Sequence, residues 1–118
     1  MLSFKNRLSK TKEINEVLKN GAMIKSDLFV LKYMKNKKEE SRFSFVVSQK
    51  ISKKAVERNR LKRRFREIIR KDLHNIKKGF DIVILARKKA KVSDFADLKK
   101  SLKFLFKKAS LYDNRTFD

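Results

Sequence analysis

A chain of 118 residues can fill one hydrophobic core but not two independently stable ones, so a single domain spanning 1–118 is expected. Its 34 Lys and Arg against 13 Asp and Glu leave a formal net charge of +21, an excess that needs a polyanionic partner, nucleic acid first. Ten Phe argue against a disordered basic tail, the lack of Cys excludes disulfides and thiolate metal sites, and no apolar run nears the roughly 20 residues of a membrane span.

Lys5, Arg7, Lys10 and Lys12 break up the N-terminal segment before any signal-like apolar core can form, so the expected address is the cytoplasm. Proline is absent and glycine occurs only at Gly21 and Gly79, which leaves no linker to divide the chain. Ser9 or Thr11 is placed to cap a first helix in which Ile14, Val17 and Leu18 share a face, with Gly21 at its end. From Ala22 to Met34 the run Leu28-Phe29-Val30-Leu31-Lys32-Tyr33-Met34 reads as a strand. A charged connector, Lys35 to Ser41, leads to a segment, Arg42 to Ser48, that alternates with Phe43, Phe45 and Val47 on one side. A hairpin between these two strands is the expected pairing. A third strand, Phe80 to Ala86, follows Gly79, and a last helix starting near a capping Ser93 carries Phe95, Leu98, Leu102, Leu105 and Phe106 on one stripe. Residues after about 112 read as a loose tail.

The segment Ser52 to Leu73 is the most informative. At 100° per residue Leu61, Phe65, Ile68 and Ile69 gather on a packing face, while Asn59, Lys62, Arg63, Arg66 and Arg70 fall within an adjoining arc of about 100°. A merely solvated face would interleave Glu four residues away, yet only Glu57 and Glu67 occur here. Lys62, Arg66 and Arg70 repel one another at successive four-residue steps, which implies an external anion. Guanidinium forks match phosphate with paired hydrogen bonds.

The run Ser48-Gln49-Lys50-Ile51-Ser52-Lys53-Lys54-Ala55-Val56-Glu57-Arg58-Asn59-Arg60-Leu61-Lys62-Arg63-Arg64-Phe65-Arg66-Glu67 resembles the hallmark of the bacterial ribonuclease P protein component. Its most diagnostic part is Arg58-Asn59-Arg60 with Lys62, Arg63, Arg66 and Glu67. The similarity extends to Asn6-Arg7-Leu8, Lys19-Asn20-Gly21, Asp81 to Arg87 and the Leu-rich last helix, nearly the whole chain. The resemblance implies an α+β fold, a two-layer α/β sandwich of one mixed four-stranded sheet and three helices, similar to a domain of ribosomal proteins and translation factors. That count fits if Ala22 to Met34 bends into two strands.

The resemblance further implies an accessory subunit of an endoribonuclease, a hydrolase that removes the 5′ leader of precursor tRNA. The partners would be the catalytic RNA subunit and precursor tRNA, with no membrane and no obligate protein partner. Phosphodiester cleavage would be carried by the RNA, with Mg2+ bound mainly by that RNA and no metal held by the protein. Carried over by position, Lys50, Lys53, Lys54, Arg58, Asn59, Arg60, Lys62, Arg63 and Arg66 would bind RNA, joined by Arg70 from the strip. A cleft between the basic helix and the sheet would take the leader, with Ile14, Leu18, Val30, Lys32 and Val46 as its candidate residues. Ile14 and Leu18 stand where the family usually places aromatics, and Lys32 where it often has Tyr, so an electrostatic leader contact is expected at that strand.

Chemistry for a self-sufficient protein nuclease is lacking in the pattern. His74 is the only His and lies at a helix end, and Asp81, Asp94 and Asp97 fall at element starts where Asp commonly caps or turns. The alternative is a structural ribosomal or other RNA-binding protein without a role in turnover. A DNA-binding regulator would want a helix-turn-helix pair or a dimer seam, and neither is visible.

Overall fold

The computed structural model describes residues 2–113, so the expected tail after 112 lies almost wholly outside the described residues. Three helices, α1 (Thr11–Asn20), α2 (Ala55–Asp72) and α3 (Phe95–Lys108), combine with four strands, β1 (Ala22–Lys25), β2 (Phe29–Lys35), β3 (Arg42–Val46) and β4 (Phe80–Ala86). The segment Ala22 to Met34 does bend, at Ser26, into β1 and β2. The Ser26 hydroxyl accepts the backbone N–H of Phe29 at 3.1 Å and holds the turn.

The sheet order is β1-β2-β4-β3, with β1/β2 and β2/β4 antiparallel and β3/β4 parallel. The hairpin expected between β2 and β3 is therefore not formed. β4 inserts between them, and α2 is the crossover that a parallel β3/β4 pair requires.

Alternation along the strands separates two faces. Phe29 and Leu31 of β2, Phe43 of β3 and Ile82 and Ile84 of β4 are buried under α2 and α3. Phe65 is the centre of that layer, edge-on to Phe29 at 4.9 Å between centroids and stacked on Phe45 at 5.4 Å. On the reverse face α1 lies across β2 and β4, with Val17 against Val83 and Leu8, and Ile14, Leu18, Met34, Val46 and Leu85 around them. A buried polar bridge ties α1 to this face: Arg42 bonds Asp81 through two nitrogens, at 2.9 and 2.7 Å, and Glu13 through two further hydrogen bonds, at 3.2 and 3.0 Å.

The expected caps differ. Neither Ser9 nor Thr11 caps α1, whose N-cap position is Lys10. α3 is capped by Asp94, which accepts the Asp97 N–H at 2.9 Å, while the Ser93 hydroxyl donates to the Lys89 carbonyl. Gly21 does end α1, for reasons of space: a Cβ there would lie 2.6 Å from the Val17 carbonyl oxygen and 3.0 Å from that of Tyr33.

Candidate nucleic-acid interface

α2 rolls its cations according to its buried stripe. Leu61, Phe65, Ile68 and Ile69 face the sheet, so the two flanks of the helix are fixed. One flank turns to α3: Arg60 and Arg64 line a concavity of about 250 Å³ with Lys91 and Asp94, and Lys71 lines another with Phe95, Lys99 and Lys103. The strip Asn59, Lys62, Arg63, Arg66 and Arg70 lies on the other flank and faces away from α3.

Asn59, Arg63 and Arg70 are exposed, and Lys62 and Arg66 are half-buried along their stems. Among the described residues no carboxylate lies within 4.0 Å of Lys62, Arg63 or Arg66. Arg70 is the exception. It bonds Glu67 at 2.9 Å, and Lys71 reaches the same carboxylate at 3.4 Å. The Arg70 guanidinium in turn holds the Glu67 carboxyl below its ordinary range. The strip thus presents three unpaired cations and an amide, with a fourth cation at its end partly neutralised.

Arg58 and Arg60, which the resemblance assigns to RNA binding, lie off that strip. Arg58 is half-buried at the start of α2, where its guanidinium donates to the Ser52 carbonyl at 2.9 Å. Ser52 is the hub of this turn. Its hydroxyl accepts the Lys54 N–H and donates to Glu57, and with Lys91 3.6 Å away the Glu57 carboxyl is held below its ordinary value, the serine hydrogen bond contributing most. Arg60 is exposed but lies on the α3 flank, beside Arg64 and Lys91. Those two are residues that the pattern of α2 alone did not single out, although Arg64 stands four residues after Arg60. Lys50, Lys53 and Lys54 are exposed on the approach to the helix.

Phe65, Ile68 and Ile69 of α2 are buried against the sheet. Ile14, Leu18, Val30, Lys32 and Val46 are instead brought together on the α1 side of the sheet, all half-buried. Lys32 is already engaged there, its ammonium donating to the Leu18 carbonyl at 2.8 Å. Among the described residues no three His, Asp or Glu side chains converge in a metal-binding arrangement, and no helix is long and apolar enough to cross a membrane.

Fold and flank together define a class: a small α+β protein whose four-stranded mixed sheet backs a helix with a phosphate-compatible cationic side. Comparison with known proteins narrows it. The Ribonuclease P family model matches residues 2–110. A ribonuclease P protein component of Caldanaerobacter subterraneus subsp. tengcongensis is 38% identical over 109 residues, 92% of this chain and 93% of that one. One of Dehalococcoides mccartyi is 41% identical over 106 residues, covering 90% and 86%. Among solved structures, the RNase P protein of Staphylococcus aureus aligns with a TM-score of 0.85 at 28% identity, over 92% of this chain and 98% of that one. That of Thermotoga maritima aligns at 0.79 and 37% identity, over 86% and 96%. The chain belongs to the ribonuclease P protein component family, the protein subunit of the endoribonuclease that matures the 5′ end of tRNA. Membership of this family sets aside the alternative of a structural ribosomal protein.

Proposed function

We propose that the outward flank of α2 docks on the phosphate backbone of the catalytic RNA subunit, and that the protein acts in turnover by binding RNA rather than by contributing a nucleophile. The single observation that supports this reading is the shared presentation of Asn59, Lys62, Arg63 and Arg66 on one side of the helix, the three cations without acidic partners among the described residues. Releasing condensed counterions from a phosphate run is the interaction that such a side favours. Lys50, Lys53, Lys54, Arg58 and Arg60 extend the basic surface around the start of the helix, where Ser52 orients Arg58.

The leader of precursor tRNA is then read on the α1 side of the sheet, past Ile14, Leu18, Val30, Lys32 and Val46. With aliphatic side chains at these positions, contact there rests on apolar packing and on the Lys32 charge more than on base stacking. Magnesium ions held mainly by the RNA supply the activated water, and hydrolysis leaves a 5′ phosphate on the tRNA. The protein's part is to hold substrate and to screen phosphate repulsion so that the RNA keeps its active shape. Such a subunit works in the cytoplasm and needs no protein partner of its own.

Reconstitution tests this. Added to a bacterial ribonuclease P RNA at low magnesium, the protein should restore cleavage of precursor tRNA at the mature 5′ end. An RNA that stays idle under those conditions, yet cleaves at high magnesium, would refute the proposal.

A further inference from the structure

The outward face of α3 is a second strongly one-sided surface. Leu98, Leu102, Leu105 and Phe106 are buried, and at 100° per residue Lys99, Lys100, Lys103, Lys107 and Lys108 spread over the remaining half-turn. From Leu98 to Ser110 the chain contains no acid. Among the described residues none of these five lysines has a carboxylate within 4.0 Å. Lys99, Lys103 and Lys107 follow at four-residue steps, so each repels the next. Folding alone gives no reason for that arrangement.

Phe104 stands among these lysines and is 50% exposed, with the Lys108 ammonium 5.6 Å from its ring centroid. The core uses Phe106, and Phe104 contributes nothing to it. Between this part of α3 and the turn joining β1 to β2 lies an open concavity of about 600 Å³, whose lining includes Lys25, Lys89, Lys100 and Phe104. The Ser26 and Ser101 hydroxyls, hydrogen-bonded at 2.7 Å, pin the turn to the helix. Asp27 and Asp97 also belong to the lining. Asp27 sits 3.9 Å from Lys89 and offsets it, whereas Lys25 and Lys100 have no such partner among the described residues.

We infer that the outward face of α3 and the β1–β2 turn form a further RNA-contact surface, apart from the α2 strip and from the leader face under α1, one that takes an unpaired segment of RNA. The α2 strip faces away from α3, and this concavity lies on the far side of α3, so the two surfaces occupy opposite sides of the helical layer. The lysines match phosphates. The exposed ring selects the form of the ligand: a duplex keeps its base faces inside the stack, whereas an unpaired nucleotide offers one to Phe104. An acidic protein surface would satisfy the lysines but would leave the aromatic unused.

The chain has no Trp, so Phe104→Trp installs a unique reporter. Titration of this variant with an oligouridylate of about eight nucleotides should quench its emission to saturation, through stacking. Adding Lys25→Ala, Lys100→Ala and Lys107→Ala should weaken that binding by about tenfold at low salt, with circular dichroism unchanged. Adding Lys62→Ala, Arg63→Ala and Arg66→Ala instead should leave the quench within about twofold while weakening binding to ribonuclease P RNA, so the two surfaces fail independently. Emission indifferent to the oligonucleotide, a response to polyglutamate alone, or a quench removed only by the α2 substitutions would overturn the inference. Ultraviolet cross-linking of the unaltered protein to the same oligonucleotide gives a second readout: adducts should include the peptide bearing Phe104, and adducts confined to α2 would contradict it.

Discussion

Replacing Arg42 by Met removes the cation that joins α1, β3 and β4. The Arg42 and Asp81 side chains are only 13% and 10% exposed, and Glu13 is 32% exposed. Stripping the partner from a buried carboxylate costs about 3–5 kcal/mol. Asp81 would keep a hydrogen bond from Asn36 at 2.8 Å, and Glu13 would regain water, so the lower end applies, about 3 kcal/mol. For a chain of this size that lowers the urea midpoint by about 2 M. Unfolding followed by circular dichroism at pH 7 measures it. Pairing Arg42→Met with Asp81→Leu should recover much of the loss, because no charge is then left stranded. The bridge also has a pH signature. Hydrogen bonds from Arg42 hold the Glu13 carboxyl below its ordinary value of 4.5. That contribution is therefore complete above pH 4.5 and is lost as pH falls through the lower folded value. The unaltered protein should lose stability on acidification more steeply than Arg42→Met. A midpoint shift under about 0.5 M, or identical acid profiles, would refute the assignment of this bridge as a principal tie between α1 and the sheet.

Gly21→Ala should destabilise by about 1–3 kcal/mol, since the new methyl meets backbone oxygens that cannot step aside, and the thermal midpoint should fall by ~5–10 °C. Phe65→Ala removes the ring shared by Phe29 and Phe45 and should cost about 3–5 kcal/mol in denaturant unfolding. Glu67→Gln frees Arg70 and Lys71 on the surface of α2, and RNA affinity at low salt should rise by about two- to threefold, measured by filter binding.

Much of the architecture was legible because hydrophobic period speaks directly to burial. Leu61, Phe65, Ile68 and Ile69 at helical spacing, and Phe43, Ile82 and Ile84 on alternate strand positions, assign themselves to one layer. Partners across the sheet were not legible in that way. Alternation at Phe43, Phe45 and Val47 says which side is buried but not which strand lies alongside, and the short connector after β2 favoured a hairpin that the intervening β4 excludes. Caps failed for a related reason: Ser93 and Asp94 are both competent acceptors, and only the backbone geometry decides that Asp94 takes the Asp97 N–H.

The site was legible to the extent that it follows the helix. The strip from Asn59 to Arg70 could be projected because α2 is regular there. Arg58 and Arg60 were assigned by resemblance, and the same projection sets Arg60 on the α3 flank with Arg64 and Arg58 beside the buried stripe, where its guanidinium meets the Ser52 carbonyl. The reverse-face residues Ile14, Leu18, Val30, Lys32 and Val46 were grouped by resemblance, and the topology that gathers them under α1 depends on strand order.

The salt dependence of binding to ribonuclease P RNA tests the central claim most directly. Comparing the unaltered chain with the Lys62→Ala, Arg63→Ala, Arg66→Ala variant, the plot of log affinity against log salt should flatten by about 2–3 units, since each cation removed leaves one phosphate with its counterions in place. Parallel lines, with affinity unchanged at low salt, would show that the cations of α2 face water rather than the RNA backbone.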